Sequence, residues 1–86
     1  MNKVTIYTQD QCPPCQFVKQ YFKEKEIDYI EKNIKNKQYK SELIDLDSFS
    51  TPTVLINDKV FYQVDIDSFN KELGINSWAF NSLVLK

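Results

Sequence analysis

Apolar and polar residues recur with two different periods along this chain, and the places where the period changes mark its elements. Val4 and Ile6, flanked by Thr5 and Tyr7, make a short β-rich run that predicts a strand. Thr8 to Gln11 is polar and predicts a loop. From Pro13 onward the period lengthens. Phe17, Val18, Tyr21 and Phe22 fall at helical spacing, and Lys19, Lys23, Glu24 and Lys25 take the other face. Pro13 suits a first helical position, where its missing N–H is not needed. A helix is therefore expected over about 13–25, and Ile27 to Lys32 reads as a second strand. Strand, helix and strand together have the length of a parallel crossover unit.

Tyr39, Leu43, Ile44 and Leu46 stand among lysines and acids and predict a second helix over 35–48. Ser50-Thr51-Pro52 stops it, because the residue before a proline avoids the helical region. Thr53 to Ile56 is a buried-type strand, Asn57-Asp58 a turn, and Lys59 to Tyr62 the hairpin partner. Asp65 is placed to cap a last helix that turns Ile66, Phe69 and Leu73 inward and stops at Gly74. The expected fold is α/β in the order β-α-β-α-β-β-α: a four-stranded mixed sheet covered by helices. Residues 1–74 form the expected domain. Residues 75–86, with Trp78, Phe80, Leu83, Val84 and Leu85, form an apolar extension expected to pack on it.

Composition narrows the function classes. The 86 residues make one domain, and a formal net charge of −1 gives no pull toward nucleic acid or an anionic membrane. No apolar run reaches the length of a bilayer span, and Met1 leads straight into the first strand, so a cytoplasmic monomer is expected. Histidine is absent, which removes imidazole as a base and as a metal ligand.

The chain has two cysteines, both in the tetrad Cys12-Pro13-Pro14-Cys15 between the first strand and the first helix. Thiols at this spacing can close into a disulfide. At a helix start, unpaired N–H groups also favour the thiolate, which is the nucleophile in disulfide exchange. In a reducing compartment a stable structural disulfide is not expected, and a catalytic one fits. The tetrad thus points to a dithiol redox protein of the thioredoxin-like class.

The strand, the C-P-P-C tetrad on a helix start, Thr51-Pro52 before a later strand, and the element order together resemble the glutaredoxin family, over residues 3 to about 73. The resemblance implies a thioredoxin-like fold and thiol–disulfide exchange. Cys12 would attack, and Cys15, one turn inside, would resolve the mixed disulfide. Thr51-Pro52 would be the cis-proline loop, offering backbone to an extended substrate. Substrate contacts would also fall to Gln9, Pro13, Pro14, Val64 and Asp65. The implied substrates are disulfide-bearing proteins or glutathione mixed disulfides. No bound cofactor is expected, and glutathione or a thioredoxin reductase would return the electrons.

Three departures qualify the resemblance. Relatives that use glutathione carry a lysine where this chain has Gln9, and a Gly-Gly pair where it has Tyr62 and Gln63. Bulky residues narrow a ligand's approach to the backbone. Lys35 and Lys37 are candidates for a replacement charge. The third departure is Pro14. A capping side chain accepts from N–H groups two and three residues on, and Pro14 has none to give. Cys12 is therefore expected to be less acidic than with tyrosine at position 14. Two rival readings stay open at this stage: a metal or iron–sulfur module assembled on the same cysteines with outside ligands, and a redox-inert scaffold.

Overall fold

The computed structural model describes residues 2–74. The expectation for the 75–86 extension lies outside the described residues. The elements are β1 (Val4–Thr8), α1 (Pro13–Glu24), β2 (Ile30–Asn33), α2 (Lys37–Asp45), β3 (Thr53–Ile56), β4 (Lys59–Phe61) and α3 (Ile66–Leu73). The sheet order is β2-β1-β3-β4. β1 runs parallel to β2 and antiparallel to β3, and β3 pairs antiparallel with β4. This is the expected thioredoxin-like arrangement.

Side-chain alternation along β1 divides the molecule into two layers. Val4 and Ile6 join Val18, Tyr21, Phe22, Val54, Ile56, Phe69 and Leu73 in one core, packing α1 and α3 on the sheet. Tyr7 points to the other face, where its hydroxyl donates to Glu42 Oε1 of α2 at 2.9 Å. All five β1 residues are buried, as a central strand covered on both faces requires.

Several boundaries and one face differ from the sequence expectation. β2 starts at Ile30 rather than Ile27, because its ladder begins only where Thr5 faces Ile30. Ile27 and Tyr29 pack against the core without joining the sheet. α2 begins after Asn36, whose side chain accepts from the Gln38 N–H at 2.8 Å. It ends at Asp45, well before Pro52, because Asp47 turns to a left-handed φ of 60°. β4 is one residue shorter than expected. Phe17, expected inside, is 56% exposed. Cys15, Val18, Tyr21 and Phe22 form the buried stripe of α1, and Phe17 falls at its margin. Ile44 on α2 is likewise exposed.

α3 follows expectation at both ends. Asp65 accepts from the Ser68 N–H at 3.2 Å, and Gly74 closes the helix at φ 76°. A Cβ at Gly74 would meet nothing within 4 Å, so the glycine serves the left-handed turn and not a close approach.

Candidate active site

The dithiol stands where β1 hands over to α1. Cys12 is the N-cap of α1, with extended backbone at φ −122° and ψ 94°, and Pro13 and Pro14 follow as the first two helical residues. The helix start can be inventoried donor by donor. Pro13 and Pro14 have no N–H. The Gln16 N–H donates to the Cys12 carbonyl at 3.2 Å. The Cys15 N–H donates to Cys12 Sγ, also at 3.2 Å. A helix start that could aim several donors at the cap therefore aims one.

Cys12 and Cys15 are joined as a disulfide, their Cα atoms 5.2 Å apart, which is ordinary disulfide geometry. Cys15 is completely buried, while Cys12 retains 7% of its surface. Of the two, Cys12 is the residue that keeps contact with solvent.

Thr51 and Pro52 meet the tetrad from the other side. The Thr51-Pro52 bond is cis. Thr51 Oγ1 lies 3.8 Å from Cys12 Sγ. The loop that carries it is fastened internally. Thr53 Oγ1 donates to the Ser50 carbonyl at 2.7 Å, and the Ser48 hydroxyl completes the chain by donating to Thr53 Oγ1 at 2.7 Å. Ser48 and Thr53 are both buried. Antiparallel pairing of Val54 with Phe61 brings the 62–65 segment out of β4 at the same end of the sheet. Tyr62 then donates from its hydroxyl to the Leu46 carbonyl at 2.8 Å, tying that segment to the end of α2.

The other sequence candidates fall around this centre without touching the sulfurs. Gln9, Pro13, Pro14 and Val64 are exposed. Asp65 is spent on its own helix. Ser68 hydroxyl and N–H bonds, in that order, hold its carboxyl below the usual range. Asp10 accepts from Asn33 Nδ2 at 3.0 Å and pairs with Lys35 at 3.5 Å. The Asn33 bond, then Lys35, lowers its pKa. Lys35 is thereby occupied with Asp10.

Sequence reasoning did not find the polar groups beneath the site. Lys32 Nζ and the Tyr7 hydroxyl both donate to Glu42 Oε1, at 2.7 and 2.9 Å. The Lys32 bond, then the Tyr7 bond, keeps the Glu42 carboxyl below its ordinary range. Burial, then the Glu42 bond, pushes the Tyr7 phenol up to about 12. Tyr7 therefore works as a neutral strut between sheet and α2. Thr8 donates to Glu31 Oε2 at 2.8 Å, and Lys19 of α1 pairs with the same oxygen at 3.1 Å. These bonds fix β1 against both flanking helices just before the loop to Cys12. The signal was present in the sequence only as alternate polar residues on a β-rich run.

Comparison with known proteins now adds to the geometry. The glutaredoxin family model matches residues 4–61. The chain belongs to the glutaredoxin family. Among solved structures, the thioredoxin-like protein BC3987 is 35% identical, with a TM-score of 0.76, covering 80% of this chain and 97% of that one. Glutaredoxin (grx-1) from Archaeoglobus fulgidus is 20% identical at a TM-score of 0.70, covering 85% and 87%. The glutaredoxin-like NrdH-redoxin from Escherichia coli is 23% identical at a TM-score of 0.68, covering 80% and 92%. The last two show the shared fold. No curated protein matches the sequence significantly. Among the described residues of this glutaredoxin, no helix is long and apolar enough to cross a membrane.

The glutaredoxin's single capping donor gives a first expected outcome. Pro14→Tyr restores an N–H within reach of Cys12 Sγ, so the Cys12 pKa should fall by about one unit or less. Ultraviolet thiolate absorbance against pH, on the reduced protein, measures it. A rise, or no change, would show that the missing donor does not limit Cys12 acidity.

Proposed function

We propose that this glutaredoxin-family protein reduces disulfides in other proteins by reversible oxidation of Cys12 and Cys15. The observation that carries the reading is the position of Cys12 Sγ. It caps α1, accepts the Cys15 N–H at 3.2 Å and lies 3.8 Å from Thr51 Oγ1, and Cys12 keeps some exposure where Cys15 has none.

The Cys12 thiolate attacks one sulfur of the substrate disulfide. The other substrate sulfur leaves as a thiolate and takes a proton from solvent. Cys12 is then held in a mixed disulfide. Cys15, deprotonated, attacks Cys12 Sγ from within the first turn and releases the second substrate thiol. Two electrons pass from the dithiol to the substrate, and the Cys12–Cys15 disulfide remains. Turnover needs a donor that returns both electrons, either glutathione or a flavin-dependent thioredoxin reductase.

Two observations favour protein substrates over glutathione. Tyr62 fills one of the places that glycines hold in glutathione-using relatives, and its hydroxyl is anchored on Leu46. Phe49, in the same loop as Thr51, is 83% exposed. A free-standing aromatic ring two residues from Thr51 gives a protein substrate an anchor that a small thiol does not need. Phe49→Ser is therefore expected to lower kcat/KM for insulin reduction by about fivefold to tenfold. Reduction of a small synthetic disulfide should stay unchanged. Equal loss on both substrates would mean that Phe49 supports the site and not the partner.

The direct test incubates the oxidised protein with NADPH and thioredoxin reductase, and separately with glutathione and its reductase, adding insulin to each. Insulin-dependent NADPH loss supports the reading. Its absence with both donors, while the dithiol itself is reduced, counts against it.

A further inference from the structure

We propose that the Thr51 hydroxyl is a catalytic hydrogen-bond donor to the Cys12 thiolate, standing in for the backbone donor that Pro14 removes. This rests on the reading of Cys12 as the attacking sulfur.

α1 withholds donors from the sulfur at its N-terminus. Of its first turn, the Cys15 N–H alone reaches Cys12 Sγ, at 3.2 Å. An anionic sulfur has lone pairs for further donors, and each donor to the charged form lowers its pKa. The charged neighbours do not supply that stabilisation. Asp10, two residues before Cys12, offers no cation and is tied to Asn33 and Lys35. Lys19 on α1 is paired with Glu31 at 3.1 Å, and Lys35 with Asp10 at 3.5 Å. Among the described residues, no hydrogen bond or ion pair joins a lysine to Cys12.

Among the described residues, Thr51 Oγ1 is the other polar group within hydrogen-bond reach of the sulfur, 3.8 Å away. In the disulfide Cys12 Sγ has no hydrogen, so the hydroxyl is the donor. A full charge on the sulfur strengthens and shortens such a bond. Two features pre-position the hydroxyl. A β-branched side chain has few χ1 choices. The loop on either side of Thr51 is pinned by the Ser48–Thr53–Ser50 bonds. A donor held in place before the charge forms stabilises it without reorganisation. In this proposal the Thr51 hydroxyl serves the sulfur, and its backbone stays available for the substrate pairing that the family resemblance implies.

The test measures Cys12 acidity on the reduced full-length protein, by the rate of iodoacetamide alkylation at Cys12 against pH, resolved by mass spectrometry. Thr51→Val removes the hydroxyl and keeps the shape. It should raise the Cys12 pKa by about half a unit to one unit. Thr51→Ser, which keeps the hydroxyl, should titrate like wild type. Combined with Pro14→Tyr, the Thr51→Val shift should shrink, because the sulfur then has a second backbone donor. Thr51→Ala gives the same reading should the valine variant fold poorly. An unchanged pKa in the variants lacking the hydroxyl, a serine variant that shifts as valine does, or an undiminished shift in the Pro14→Tyr background would overturn the proposal. Insulin reduction by wild type separates the two claims. Activity without a Thr51-dependent pKa sinks the hydrogen bond alone, and inactivity sinks the functional reading while the titration still decides the bond.

Discussion

Cys12→Ser is expected to bring insulin reduction down to the uncatalysed background, a loss of about a thousandfold or more. A serine hydroxyl does not open disulfides at neutral pH, because the attacking species must be a thiolate. Cys15 is the one thiol left, and it is completely buried. It has no path to a substrate, so it does not compensate. The fold should survive the change. The loop closed by the disulfide is very short, and in the entropic view such a staple contributes only about 2 kcal/mol. Thermal unfolding of reduced wild type and Cys12→Ser should agree within a few degrees. Turnover assays beside those melts separate a redox role from a structural one. Retained turnover would refute the redox reading, and loss of the folded state in both disulfide-free proteins would restore the scaffold alternative.

Phe69→Ala should have the largest effect on stability. The Phe69 ring is fully buried on α3 and sits where three groups meet. It makes an edge contact with Phe61 of β4 at 5.3 Å and lies 5.8 Å from Phe22 and 6.3 Å from Tyr21 of α1. Removing it leaves a cavity at the junction of sheet and two helices, at a cost of about 3–5 kcal/mol. A domain of this length has only about 4–13 kcal/mol in total. The melting temperature should fall by roughly 15–30 °C. Phe17→Ala is the control. Its ring is mostly in solvent, and the change should stay within about 0.5 kcal/mol. Circular dichroism melts of both variants decide the matter. Similar losses at the two positions would mean that Phe17, and not the α1–α3 contact, had been misplaced.

The contrast between Phe17 and Phe69 shows how far the sequence could be read. The order of elements and the location of the tetrad were legible because they depend on local periods and on residues with fixed backbone habits. Pro13 opens α1, Asp65 caps α3 and Gly74 ends it, all within a few residues of the element they control. Boundaries set by distant partners were not legible. β2 begins where β1 stops supplying hydrogen bonds, and nothing in Ile27-Asp28-Tyr29 reveals that. The end of α2 follows from a left-handed Asp47 instead of the conspicuous Pro52. Phe17 reads as core from the sequence because two apolar faces of α1 differ by a single helical step, and the choice between them belongs to the sheet.

At the site the division is similar. The cysteines and Thr51-Pro52 stand out as motifs. The deduction that Pro14 costs Cys12 a donor needed only helix geometry, and the single N–H at Cys12 Sγ agrees with it. The Thr51 hydroxyl and the Tyr7–Glu42 bond were hidden, because their partners lie 39 and 35 residues apart in the chain.

In the proposed cycle Cys12 is the sulfur substrates meet, and Cys15 acts second. Cys15→Ser tests it most directly, since the resolving step is removed and the first adduct persists. The reduced variant is mixed with a disulfide-bonded peptide, quenched in acid, digested and mapped by mass spectrometry. The account predicts a stable one-to-one peptide adduct on Cys12. An unmodified Cys12 under conditions where wild type reduces the same peptide would contradict it.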